Sequence, residues 1–286
     1  MNIMKFRPLF LFLSLFLILA SIFSIIKWGF QLSVDFSGGS SWQVSLPSKP
    51  DDAQIKEVFA KNNIELISIA KNEDSFTLKF PNISLEQKEM LTQDFQKVDP
   101  DFSNLQFDTL GPILGKELLM KTFYAILLSS FSLLLFIGSR FKDLSFGASA
   151  VLAMLHDAII LVGSFSILGH FFGAEIDALF VTALLTTLSA SVHDTVVTFD
   201  RIRELKRFST RLDWVELSNQ AVSEVIVRSI NNSMTIIFML LSLVVLGGAS
   251  TRWFAMALLI GVICGTYSST AVAIPLMLLS KKKKEK

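Results

Sequence analysis

Charged side chains are scarce in this sequence. Only 18% of its 286 residues are Asp, Glu, Lys or Arg, against 51% hydrophobic, and mean hydropathy is +0.55. Soluble domains carry about 25% charge, so that class is excluded. Cysteine is nearly absent. The lone thiol, Cys264, forbids an intramolecular disulfide and says nothing about redox compartment. A net charge of +1 leaves no basic excess for nucleic acid. A nucleotide loop is missing too. The nearest stretch, Gly111-Pro-Ile-Leu-Gly115-Lys116-Glu117, is one residue short between its glycines and lacks Ser or Thr after the lysine. It reads as a turn feeding the apolar run that follows.

What is present is long apolar runs. The stretches 8–26, 118–137, 146–168, 178–198, 226–246 and 253–279 approach or exceed the roughly 20 residues of a spanning helix. The first is too long for a signal-peptide core, so it reads as a retained span. Lys and Arg in short loops set orientation. With a cytoplasmic N-terminus, the inside holds Lys5, Arg7, Arg140, Lys142, the basic residues of 201–211 and the lysines at 281–284. The outside short loops hold only Arg252. The expected layout is a polytopic α-helical membrane protein with both termini cytoplasmic. It divides into helix 1 at 1–26, an extracytoplasmic domain at 27–117, a five-helix bundle at 118–280 and a basic tail at 281–286. The tail reads as an anchor on anionic lipid, with ribosome or partner binding a weaker alternative.

Residues 27–117 have a legible pattern. Trp42, Val44 and Leu46 alternate with polar neighbours, which predicts a strand. Pro50 and Asp51-Asp52 precede Ile55, Val58 and Phe59 at helical spacing. A second strand is expected at 64–70, a turn at 71–74, and a third strand through Phe76, Leu78 and Phe80. Ser84 and Gln87 form a capping box ahead of Leu91, Phe95 and Val98. Leu105 and Phe107 alternate with Gln106 and Asp108 in a fourth strand. The order βαββαβ predicts a small ferredoxin-like α+β domain. No catalytic constellation occurs in it, which favours a binding or mechanical role.

Asp194 is the residue that demands explanation. A carboxylate within a spanning helix costs about 2.5–3.5 kcal/mol, and such groups carry ions or are paired. Thr187, Ser191, Asp194 and Thr198 share one helical face, with Thr186, Ser189 and His193 beside it. On the next span Arg228, Asn231, Asn232 and Thr235 share another. Two polar faces on consecutive spans predict a hydrated crevice, with Arg228 as the partner of Asp194. The alternative is a structural ion pair. His156-Asp157 repeats the dipeptide His193-Asp194. Neighbours on a helix point about 100° apart, so a metal site fits poorly and a helix-packing hydrogen-bond role fits better. Gly261, Gly265 and Ser269 give a small-residue ridge for close helix packing.

Taken together, the segments Val34-Asp-Phe-Ser-Gly-Gly39, Gly111-Pro-Ile-Leu-Gly-Lys-Glu-Leu118, Leu155-His-Asp157, His193-Asp-Thr-Val-Val-Thr-Phe-Asp-Arg-Ile-Arg-Glu204 and Arg228-Ser-Ile-Asn-Asn-Ser233 resemble the SecF branch of the SecD/SecF protein-export family, within the resistance-nodulation-division superfamily. The resemblance implies an accessory subunit of the Sec translocase, not an enzyme, in the bacterial inner membrane. It implies a SecD-like partner, the SecYEG channel and a translocating preprotein. It implies no cofactor, the proton-motive force as energy source, or sodium as in some relatives, and Asp194 and Arg228 as the relay pair. The family commonly has Asn where His193 stands and Gly-Tyr where Ser189-Ala190 stands, departures that bear on working pH and coupled ion. Two other classes compete on the residues alone. A small-molecule exporter of the same superfamily would be separated by efflux assays, and a metal-dependent intramembrane enzyme by metal analysis.

Overall fold

The structure is a computed structural model describing residues 2–71, 75–141, 143–208 and 212–284. The expected turn at 72–74 and the basic residues Lys142, Arg211 and Lys286 lie outside the described residues. The chain divides into two compact units: one comprises Met1–Gln31 with Ala125–Lys286, the other Leu32–Tyr124. These limits lie a few residues from the divisions at 27 and 117 read from the sequence.

The smaller unit is the βαββαβ domain. Its elements are β1 (Gly39–Ser45), α3 (Asp52–Lys61), β2 (Ser68–Lys71), β3 (Phe76–Phe80), α4 (Leu85–Val98) and β4 (Ser103–Leu110), preceded by a single turn, α2 (Val34–Ser37), that follows α1 (Arg7–Trp28). The strands lie in the order β2-β3-β1-β4, each antiparallel to its neighbour. Trp42, Leu78, Phe80, Phe59, Leu91 and Phe95 form the core between sheet and helices. Both helices start with full capping boxes, Asp51 with Gln54 and Ser84 with Gln87, which satisfy otherwise orphaned N–H groups. The expected second strand from 64 shortens to Ser68–Lys71, an edge strand that pairs with β3. Leu105 is a second correction. It is exposed, because register slips between Gln43 and Val44 so that Gln106 and Asn104 are consecutive partners. Leu105 is the extra residue of a β-bulge and leaves the inward alternation. Val98 is exposed as well.

Two carboxylates brace this domain. Asp94 receives Lys61 and Lys97, each at 2.9 Å, and Asn62 at 3.1 Å. These donors, Lys61 foremost, hold it well below the usual carboxylate range. Burial pushes Asp99 upward, but the Ser48 N–H and hydroxyl at 2.9 and 2.7 Å and the Asp101 N–H at 3.0 Å more than offset it, leaving it lowered. A carboxylate depressed in the folded state stabilises fully above its unfolded value, about 3.9, and that stabilisation is lost as pH falls through the folded value. Amide-exchange protection in α4 of the intact protein, corrected for intrinsic rates, is therefore expected to hold steady from neutral pH down to about 5 and to fall below about 4. Asp94→Asn should flatten that fall, and protection unchanged down to pH of about 2 would contradict the assignment.

The larger unit is a helical bundle built from α1, α5 (Pro112–Arg140) from Ala125 onward, α6 (Leu144–Phe172), α7 (Ala178–Phe208), α8 (Trp214–Leu246), α9 (Ala249–Ser268) and α10 (Ile274–Lys284). Among the described residues, six helical stretches are long and apolar enough to cross a membrane. α9 packs on α6, α7 and α8, and α1 packs on α6; α5 is largely exposed. The expected turn at 111–117 is instead the start of α5. Pro112 fits the first helical position, where its missing N–H is no loss. α7 and α8 also outrun the apolar stretches that predicted them. Their charged ends continue as helix, where Arg201 pairs with Glu204 and Glu224, and Asp200 with Arg140 and Arg203.

Between α9 and α10 lies a wide π turn, Ser269–Ala273. Pro275 follows it. Proline lacks an N–H and crowds the carbonyl four residues back, so a wider turn relieves both faults. Beyond it Lys281 pairs with Asp143, the N-cap of α6, and lies over the rings of Phe146 and Trp214. Burial pushes Asp143 up, yet Lys281 and Ser145 bring it to about 2. Lys281 is thus engaged within the protein, unlike the lipid anchor expected of it.

Candidate functional site

α7 carries the stripe expected of it. Thr187, Ser191 and Thr198 are buried, while Asp194 is half-buried. A crevice of about 630 Å³ opens between α7, α8 and α9, with Thr186, Ser189, His193, Asp194 and Asn232 on its walls and Ser191, Gly261 and Gly265 deeper in. His193 is exposed to it. The expected relay pair shares a depth, since Asp194 and Arg228 each stand fourteen residues from the helix ends Phe208 and Trp214, about 21 Å along the axis.

Shared depth does not make a contact. Among the described residues Asp194 accepts one side-chain hydrogen bond, from Ser229 Oγ at 3.2 Å, and forms no ion pair with Arg228, whose side chain is exposed. One residue along a helix is about 100° of rotation. α8 turns Ser229 towards α7 and Arg228 away. Arg228, Asn231, Asn232 and Thr235 are all exposed, forming an open polar face on a helix otherwise suited to hydrocarbon. Of these, Asn232 reaches the crevice.

Several expected hydroxyls serve their own helices. Thr187, Thr198 and Thr235 donate to the carbonyls of Leu184, Asp194 and Asn231 at 3.0, 3.0 and 2.9 Å, a local bond that removes them from side-chain chemistry. His156 and Asp157 are both buried, and of the two it is Asp157 that hydrogen-bonds across helices. Asp157 Oδ2 accepts from Ser191 Oγ at 2.5 Å and Ser268 Oγ at 2.6 Å, tying α6 to α7 and α9, and Oδ1 lies 2.8 Å from His156 Nδ1. Ser229 and Ser268 were not legible as site residues. Ser268 stands three residues after Gly265, beside the small-residue ridge, and that spacing is the signal that could have found it.

Residues 90–283 match the family described as protein export membrane protein SecD/SecF, C-terminal. The chain belongs to the SecD/SecF family. Within it the similarity is to SecF. The protein translocase subunit SecF of Thermobaculum terrenum is 37% identical over 303 residues, covering 99% of this chain and 95% of that relative. SecF of Haemophilus influenzae is 35% identical over 280 residues, covering 95% and 83%. The crystal structure of SecDF, a translocon-associated membrane protein from Thermus thermophilus, superimposes with a TM-score of 0.89 at 29% identity. The match takes in 99% of this chain but spans only 39% of that SecDF chain. A protein-transport role in a membrane and a multi-pass helical architecture follow from this membership. Two SecF-like segments, Val34–Gly39 and Gly111–Leu118 in the sequence, meet in space. A Cβ on Gly115 would lie 2.8 Å from Gly38 N, so only glycine permits that approach. Gly38 and Gly39 themselves have φ of 72° and 112°, open to glycine with least strain.

Proposed function

We propose that this chain is the ion-driven half of a Sec accessory unit, acting with a SecD-like partner to draw on the proton-motive force for preprotein export through a SecYEG channel. The observation that carries the reading is Asp194, an ionisable group in the apolar part of α7, half-buried and opening on a crevice. A carboxylate in such a span is retained for transfer or pairing, and it forms no ion pair among the described residues. One charge crossing 100 mV releases about 2.3 kcal/mol, enough to bias a helix rearrangement. A histidine on the crevice wall favours protons over sodium as the coupled ion. Orientation with both termini cytoplasmic follows from the loop lysines and arginines.

The partner follows from the open face of α8. Arg228, Asn231, Asn232 and Thr235 cannot face lipid without cost, so a second chain covers them. The SecDF chain, more than twice as long as its matched part, supports a SecD-like protein in that place. The reading is tested with Asn232→Cys in a Cys264→Ser background, labelled with a photoreactive maleimide and irradiated in native membranes. Capture of a SecD-like chain is expected. Adducts with lipid alone would remove the partner from the proposal. A label on Phe12→Cys, an exposed position of α1, serves as the control.

A further inference from the structure

Asp157 takes no direct part in that reading, yet among the described residues it is the carboxylate most enclosed within the bundle, at 4% exposure. It stands thirteen residues into α6, about 20 Å along the axis. Two hydroxyls on different helices donate to Oδ2, and His156 faces Oδ1. A purely structural clamp is complete with the aspartate and the serines. The histidine is surplus to it, and it carries a cost. His156 is 3% exposed, and its Nε2 has no hydrogen-bond partner among the described residues. A buried unpaired polar atom is unfavourable, and in hydrocarbon no water offsets it. An imidazole nitrogen of this kind is, however, a vacant place for a proton.

The pair is also connected. Ser191 is buried at 3% exposure and bonds Asp157, yet it lies at the floor of the crevice that holds Asp194, three residues further along the same helix. On the opposite side the His156 ring stands 6.1 Å from the ring of Tyr267, whose hydroxyl is 2.5 Å from Ser14 Oγ on α1. Polar groups thus run from the crevice through α6 to α1. The π turn begins directly after Ser268, and such turns recur at functional sites.

We propose that His156 and Asp157 form a second proton-binding station, joined to the Asp194 crevice through Ser191. The proposal rests on the ion-driven reading of Asp194. In the exchange step a proton from the crevice joins Ser191 Oγ as the hydroxyl's own hydrogen passes to Asp157 Oδ2. The serine is left unchanged, and the pair moves from a net charge of −1 to neutral. The added proton then rests on the carboxyl or, by transfer within the pair, on the imidazole. The titratable groups facing the pair are few. α7 brings Asp194 and His193 through the crevice, and α9 brings Cys264 and Tyr267. α1 has no titratable residue between Arg7 and Lys27, at its two ends.

The test uses the full chain co-reconstituted with its translocase in lipid vesicles. His156→Asn places an amide nitrogen where Nδ1 stands, keeping the contact to Asp157 while deleting the second ring nitrogen. Gradient-driven export is expected to fall about tenfold or more, with ATP-driven export unchanged. Full gradient-driven export in this variant would overturn the station, and if Asp194→Asn is inactive alongside it, the Asp194 reading stands alone. Should Asp194→Asn also export normally, both fall. The wild-type protein supplies a readout independent of folding in the variant. In ¹⁵N-histidine-labelled protein in lipid, the His156 resonance, identified by its loss in His156→Asn, is expected to change protonation state within the pH range over which the protein stays folded. Its midpoint should move in Asp194→Asn. A single unchanging tautomer over that range overturns the proposal.

Discussion

Asp194→Asn should abolish gradient-driven export, a loss of about 100-fold or more, while the chain accumulates and folds normally. The amide oxygen still accepts the Ser229 hydroxyl, so the one side-chain hydrogen bond to Asp194 survives. No ion pair with Arg228 is broken, because none is present among the described residues. Removing one partner of a buried ion pair costs about 3–5 kcal/mol, whereas a half-buried position without one is expected to change stability by less than about 1 kcal/mol. Export in vesicles with and without an imposed gradient, set beside a denaturant titration of the same variant, separates the two. Lost export with intact stability supports the relay. Lost stability of several kcal/mol would instead mark Asp194 as a structural charge, and intact gradient-driven export would exclude it from energy coupling.

The second large effect lies where α9 meets α7. A Cβ on Gly261 would collide with the Thr187 side chain, and one on Gly265 would come within 3.2 Å of Ser191 Cβ. Overpacking costs about 1–3 kcal/mol. Gly261→Ala is therefore expected to destabilise by that much and to push α9 away from α7 at the crevice floor. Gly265→Ala should cost visibly less, since a few tenths of an ångström of give suffices. Gly138→Ala, in α5 with nothing within 4 Å, should gain up to about 1 kcal/mol from helix propensity. Unfolding midpoints in mixed micelles check the ranking. Equal effects at the three positions would mean that the small residues do not set the α7–α9 distance.

Local patterns carried much of the fold. Alternation, capping boxes and helical spacing announced βαββαβ because each is a contact between near neighbours, as Ser84 with Gln87 illustrates. Apolar length announced the spans because the bilayer imposes it. What escaped depends on partners distant in sequence. Leu105 points outward through a bulge set by register with Gln43 and Val44. α8 starts at Trp214, capped by Asp213 and joined to α7 by the Arg201–Glu224 ion pair, past the apolar run. At the site, Asp194 was legible as a charge out of place. Its neighbour was not, since choosing Ser229 over Arg228 requires the rotation of α8 about its axis. Ser268 reaches Asp157 across 111 residues of sequence, a distance at which spacing alone offers only the face, not the contact.

The wide turn at Ser269–Ala273 acts as a vernier between the last two helices. The end of α9 addresses Asp157 through Ser268, and the far end of α10 addresses Asp143 through Lys281. An α turn in its place would alter the angular phase between the two ends by about 100° per residue removed. Either address could then be met, but not both, so a single-residue deletion there would uncouple the interior of the bundle from its rim without touching a polar group.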